Sequence, residues 1–171
     1  MPSYVAIAVL WDDSLTIIDV TNPAAPTFVG NIAGFGAPNF LMWSRALAVV
    51  GNYAYVAAQL DDSLTIIDIT NPAAPTFVGN IAGAGPPNFL GGPYKVAVVG
   101  NYAYVTAQHD DSLTIIDVAN PAAPTFVGNI AGRGAPNFLY GPAGIVYFSP
   151  PPPPPPPTAP FVMTLGPTGV R

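Results

Sequence analysis

Short apolar runs alternate along this chain with tight polar turns. In residues 95–130 the runs are Lys95–Val99, Tyr102–Gln108, Leu113–Val118 and Thr125–Ile130, rich in Val, Ile, Tyr, Thr and Phe. Gly100-Asn101, Asp110-Asp111-Ser112 and Asn120-Pro121-Ala122-Ala123-Pro124 separate them, and such punctuation predicts four strands. No stretch of 11 residues or more keeps a helical period. Within a run both alternating faces are apolar: Tyr102 and Tyr104 lie on one, Ala103, Val105 and Ala107 on the other. A sheet with one wet face would alternate apolar and polar residues. These sheets are therefore expected to be stacked on both sides.

The pattern repeats. DDSLTIIDVTNPAAPTFVGNIAG begins at Asp12 and returns at Asp61 and Asp110, with a single change each time (Val20 to Ile69, Thr21 to Ala119), a period of 49 residues. VVGNYAYVAAQL from Val49 matches VVGNYAYVTAQH from Val98. In the same register Tyr4–Trp11 aligns with Tyr53–Leu60, so the apolar start reads as a repeat strand and not as a signal peptide, whose basic n-region it lacks. With strands a, b, c and d per unit, the chain runs b-c-d, a-b-c-d, a-b-c-d. It then supplies one last strand a at Ile145–Phe148, aligned with Val96–Val99. The fold class is all-β: tandem four-stranded blades of a β-propeller, with the first of three blades split between the termini. The blades take residues 1–149, as repeats of about 4–52, 53–101 and 102–148.

Val49–Gly79 resembles the LVIVD repeat, a β-propeller repeat of prokaryotic surface and secreted proteins. The G-N-Y-A-Y-V strand start, the L-T-I-I-D run and the N-P-x-x-P turn carry the likeness. The resemblance extends over roughly residues 4–148 and implies a propeller fold in an extracellular or cell-surface setting. It implies no reaction. The extra loop Gly83–Pro93 and its equivalents lengthen the present unit.

Closed propellers use four to eight blades, and three cannot surround an axis without severe distortion. The expected partner is therefore another copy of the chain, one subunit's last strand completing the next subunit's first blade. Such head-to-tail contacts close into rings or run on as filaments; a monomeric three-blade stack is the competing arrangement. The candidate assembly residues are Tyr4 and Ile7, then Ile145, Val146, Tyr147 and Phe148, then Phe161, Val162 and Met163. The last three belong to a further strand beyond a polyproline linker (150–160), in a tail of residues 161–171. Pro150–Pro157 is an unbroken run of eight prolines, a polyproline II rod of about 25 Å.

Composition sharpens this picture. Only 8% of residues are charged, 50% are hydrophobic and the formal net charge is −5. Four basic residues cannot make a phosphate-binding stripe, which excludes nucleic acid as a partner. No apolar run approaches the ~20 residues of a membrane-spanning helix. Without cysteine there are no disulfides or thiolate metal sites. All nine acidic residues are aspartates at three repeat positions. Asp19, Asp68 and Asp117 precede the Asn-Pro turn and are expected to hold turn amides. The pairs Asp12–Asp13, Asp61–Asp62 and Asp110–Asp111 lie in hairpins with serine, where the simplest role is to cap their own backbone. Calcium is the alternative there, because hard cations take clustered carboxylates.

His109, Asp110 and Ser112 are too close together in one turn to converge as a triad. The Gly34–Asn39 type of run lacks the third glycine and the helix of a dinucleotide fingerprint. No cofactor is expected. Repeat positions that vary are where a site would hide, and Trp43, Arg45 and Arg133 are candidate partner contacts. No N-glycosylation sequon is present; the Thr- and Pro-containing stretch Pro157–Pro160 is a candidate for O-linked glycan modification. The expectation is a non-enzymatic, self-assembling extracellular structural protein. The alternative is an extracellular propeller module that binds a protein or carbohydrate ligand.

Overall fold

A computed structural model describes residues 1–149 of the chain. Pro150–Pro157 and Phe161, Val162 and Met163 of the tail lie outside the described residues.

Among the described residues eleven strands form three antiparallel sheets. The first sheet holds β1 (Tyr4–Val9), β2 (Ser14–Asp19) and β3 (Thr27–Ala33). The second holds β4 (Ser44–Val50), β5 (Tyr53–Ala58), β6 (Ser63–Asp68) and β7 (Thr76–Ala82); the third holds β8 (Pro93–Val99), β9 (Tyr102–Ala107), β10 (Ser112–Asp117) and β11 (Thr125–Ala131). Each sheet is a meander in which consecutive strands pair. Turn chemistry drives that order. Asp13, Asp62 and Asp111 adopt φ near 48°, a left-handed conformation that Asp tolerates, and this closes the hairpin after the first Asp of each pair.

Two devices bend the ladders. In every sheet the register slips between the two isoleucines of the L-T-I-I-D run, at Ile17/Ile18, Ile66/Ile67 and Ile115/Ile116. The second slip lies at the start of β4 and β8, where Arg45 and Tyr94 are the extra residues. A bulge twists the strand and re-aims the extra side chain.

The core is made between sheets. Leu15 and Ile17 of the first sheet meet Ala54, Val56 and Ile67 of the second, over Leu41 from the connector. Tyr55, Ala57, Leu64 and Ile66 on the other face of the second sheet meet Ala103, Val105 and Ile116 of the third. The second sheet is thus apolar and covered on both sides, as its unalternating sequence demands. Among the described residues the first sheet is covered by another sheet on one side only, and so is the third.

The strand expected at Ile145–Phe148 does not form: these residues pair with no ladder. They lie instead over the free face of the third sheet, around a cavity of about 230 Å³ shared with Ala97, Tyr104 and Leu113. The reason is topological. A strand a needs a strand b beside it, and β9, the nearest, is already paired with β8 and β10. The first blade is therefore not completed within the chain.

Candidate joint and ligand surfaces

The connectors 34–43, 83–92 and 132–141 link one sheet to the next or lead out of the last. Each is closed by its own backbone: Leu41, Leu90 and Leu139 donate to the carbonyls of Gly34, Gly83 and Gly132. In the first two connectors that leucine is fully buried. Carboxylates then clamp each connector to the hairpins on either side. On connector 34–43, Asp13 of the sheet before accepts the Trp43 amide at 2.8 Å. Asp61 of the sheet after accepts the amides of Gly36 at 3.2 Å and Met42 at 2.8 Å. Connector 83–92 repeats this, with Asp62 on Gly92 at 2.8 Å and Asp110 on Gly85 at 2.9 Å and Gly91 at 2.6 Å. Among the described residues connector 132–141 has only the first clamp, Asp111 accepting the Gly141 amide at 2.9 Å.

This corrects the expectation that the hairpin pairs cap their own turns. They instead tie neighbouring units together, because the hairpin tip projects onto the adjoining connector. Asp61 and Asp110 put both carboxylate oxygens onto connector amides. Among the described residues no group of three metal-ligating side chains comes together. Asp12 stands apart, exposed and, among the described residues, without the amide partners that Asp61 and Asp110 have. Asp19, Asp68 and Asp117 accept the amides of Thr21, Thr70 and Ala119, as the turn chemistry predicts. The threonine hydroxyl and amide hold Asp19 and Asp68 below the usual carboxylate range. The Gly141 amide and then the Arg133 guanidinium do the same for Asp111.

Each internal joint also has a close backbone approach. A methyl group at Gly30 would lie 2.6 Å from the Pro72 carbonyl, and one at Gly79 would lie 2.6 Å from that of Pro121. Only glycine lets the Asn-Pro turn of the next sheet settle there. Phe40 meets Phe77 at 6.3 Å between ring centroids and Phe89 meets Phe126 at the same distance. The carbonyls of Phe40 and Phe89 accept the hydroxyls of Thr65 and Thr114, both at 2.7 Å.

The assembly candidates divide between two faces. Ile7 is exposed with Val5 and Phe28 on the free side of the first sheet. Tyr4 instead turns toward the second sheet, lining a small cavity with Ile17, Val49 and Ile69. Strand alternation explains the split, since Tyr4 and Ile7 are three residues apart and point to opposite sides. Ile145, Val146, Tyr147 and Phe148 lie on the third sheet, where Tyr147 meets Tyr104 at 6.1 Å.

A separate surface gathers variable residues. Trp43 stacks edge-on against exposed Trp11 at 5.5 Å. The bulged Arg45 reaches over Trp43 at 5.8 Å and over the equally bulged Tyr94 at 4.9 Å, and its Nε donates to Gln59. Trp43 and Arg45 therefore come together. Arg133 is elsewhere, paired with Asp111 and lying over Tyr140 at 4.9 Å. His109, Asp110 and Ser112 do not converge: Asp110 serves the connector amides, and the Ser112 hydroxyl donates to the Phe89 carbonyl.

A family model described as the LVIVD repeat matches residues 3–33, 44–82 and 91–131, more than half of the chain. The chain belongs to the LVIVD-repeat family. No curated protein sequence matches it significantly. Among solved structures, a protein of unknown function from Desulfotomaculum acetoxidans superposes with a TM-score of 0.56 at 16% identity, covering 75% of this chain and 39% of its own. A protein from Lactobacillus plantarum gives 0.61 at 11% identity, covering 78% and 40%. The periplasmic gluconolactonase of Pseudomonas aeruginosa gives 0.60 at 13% identity, covering 74% and 36%. At these identities the likeness is one of fold, and the fold is β-propeller-like. The LVIVD chain spans about two fifths of the length of these structures.

Sequence reasoning singled out the aspartates of the LVIVD units but missed what they bind. It also missed Gly30 and Gly79 as points of close approach. Their signal was present: the same glycine stands in the middle of strand d in every unit, where a β-former would otherwise serve.

Proposed function

We propose that this LVIVD-repeat protein is a structural subunit that assembles head to tail outside the cell, the third sheet of one copy stacking on the first sheet of the next. One observation carries the reading. Among the described residues the end face of the first sheet is apolar and open, that of the third is apolar and only partly covered by Ile145–Phe148, and both bear apolar residues like those that meet inside the stack. On the first sheet Val5, Ile7 and Phe28 are exposed where Ala54, Val56 and Phe77 of the second sheet are covered or half-buried. On the third sheet Tyr104, Leu113 and Ile115 stand where Tyr55, Leu64 and Ile66 are buried. Sheets of low charge with such faces gain by stacking. Copies joined this way repeat until they close into a ring or continue as a filament. The repeat family and the periplasmic fold relative support an extracytoplasmic setting.

Sedimentation velocity over a concentration series, with negative-stain microscopy of the same samples, tests the proposal. Rings or filaments are expected; a 17.6 kDa species at every concentration overturns it.

The cluster of Trp11, Trp43, Arg45 and Tyr94 favours a second reading, a binding module. An exposed indole, Trp11, and a half-buried one, Trp43, beside a guanidinium suit a sugar face or an aromatic peptide. A glycan and peptide array probed with the full chain tests it: a hit lost in Trp43→Gly supports the reading, and an empty array overturns it.

A further inference from the structure

We infer that the joint between copies is a third instance of the two joints inside the chain, made by specific contacts whose halves stand open at opposite ends of the stack. The partner is a second copy of this chain, and the inference rests on the head-to-tail reading above. Each internal joint joins a glycine to an Asn-Pro turn, a connector phenylalanine to a strand phenylalanine, and connector amides to the first hairpin aspartate. In the 49-residue register the next member of each series pairs one end of the chain with the other.

The glycine series is Gly30 on Pro72 and Ala73, then Gly79 on Pro121 and Ala122. Its third member is Gly128 on Pro23 and Ala24 of the next copy, and around Gly128 a methyl group meets nothing within 4 Å. The phenylalanine series ends with Phe138 on Phe28, and these side chains are 72% and 64% exposed. In the carboxylate series Asp61 holds Gly36 and Met42, and Asp110 holds Gly85 and Gly91. Its third member is Asp12 of the next copy on the amides of Gly134 and Tyr140.

The third connector has the geometry of one awaiting its clamp. Gly36 and Gly85, whose amides are held, adopt φ of 58° and 63°, whereas Gly134 is not in the left-handed region. The connector is otherwise formed, with Leu139 donating to Gly132 as its counterparts do.

Ile145–Phe148 completes the picture. It lies against Ala97, Tyr104 and Leu113, which correspond to Ala48, Tyr55 and Leu64 of the second sheet. Ala48, Tyr55 and Leu64 belong to the cluster that also holds Val96 and Val98 of β8. The segment thus sits where strand a of a following blade belongs, beside the place that β1 of the next copy takes. β1 has β2 on one edge and no ladder partner on the other among the described residues. Docking supplies the missing neighbour to both, and main-chain hydrogen bonds form across the new pair.

The experiment uses the full chain, its Gly128→Ala variant and its Asp12→Ala variant. Among the described residues neither position has a close neighbour or amide partner to lose, and Gly128 needs no positive φ. Circular dichroism and thermal melting at the lowest concentration check that each folds as the parent does. Sedimentation velocity then gives the dissociation constant. The expected result is an assembling parent and variants weakened about tenfold or more, since each loses a close fit or two charge-assisted hydrogen bonds. If the parent assembles and both variants assemble equally well, this joint is overturned while the head-to-tail reading stands. If the parent is monomeric throughout, that reading falls and this inference with it.

Discussion

Three isoleucines share one repeat position and differ only in what covers them, so truncating each to alanine measures the stacking directly. Ile66 is 0% exposed between the second and third sheets, and Ile17 is 2% exposed between the first and second. Ile115 is half-buried on the open face of the third sheet. Removing a fully enclosed isoleucine costs the lost burial plus the cavity left behind, about 3 kcal/mol within a range of roughly 2–5. Ile66→Ala and Ile17→Ala should each cost that much. In a chain of this size, about 2–4 °C per kcal/mol converts the cost to a fall of roughly 6–12 °C in Tm. Ile115→Ala leaves no closed cavity and gives up about half of one burial, about 1 kcal/mol. Urea unfolding followed by circular dichroism, at a dilution where the chain is dispersed, reads the three values. In the concentrated assembly Ile115 becomes enclosed and its cost should rise to that of Ile66. Equal losses for all three variants in the dispersed chain would refute the reasoning.

Asp110→Ala removes the acceptor of the Gly85 and Gly91 amides and should destabilise the dispersed chain by about 1–3 kcal/mol, against no change for Asp12→Ala; urea midpoints compare them. Asp19, Asp68 and Asp111 are held below the usual carboxylate value, so their contribution to stability is fully present above about pH 4. That contribution is lost as the pH falls from there through the depressed folded values, and Tm measured from pH 7 to pH 2 should drop mainly below pH 4. Trp43 occupies φ 54° where the other units have Gly92 and Gly141. Trp43→Gly therefore relieves left-handed strain while losing the Trp11 and Arg45 contacts, and the two effects should leave Tm within about 3 °C of the parent.

The strands and their order were legible because turn residues punctuate every unit and because the unit repeats. The stacking was legible from Tyr102–Ala107, whose two apolar faces left no side for water. The hairpin aspartates were legible as a pattern and misread as chemistry. Asp61 lies 25 residues from Gly36 and 19 from Met42, and such distances mean nothing until the sheets are stacked. The bulges that swing out Arg45 and Tyr94 were hidden for a similar reason, since register is a property of the pair and not of either strand. Ile145–Phe148 aligns with strand a of the repeat yet forms no strand. Hydrogen bonding needs a neighbouring edge, and the repeat register alone supplies none.

The central claim is that the open ends of the stack meet as the inner sheets do, and one covalent trap tests it. The chain has no cysteine, so an Asp12→Cys, Tyr140→Cys double variant carries only the two introduced thiols. At the equivalent inner positions the Asp61 carboxylate lies 2.8 Å from the Met42 amide, so the two sites are neighbours across the joint. Because replacing Asp12 also removes its clamp, oxidation is carried out well above the concentration at which the Asp12→Ala variant assembles; a non-reducing gel should then give a ladder of multiples of the subunit mass that collapses on reduction. A single band at the subunit mass, from protein that melts as the parent does, would contradict the account.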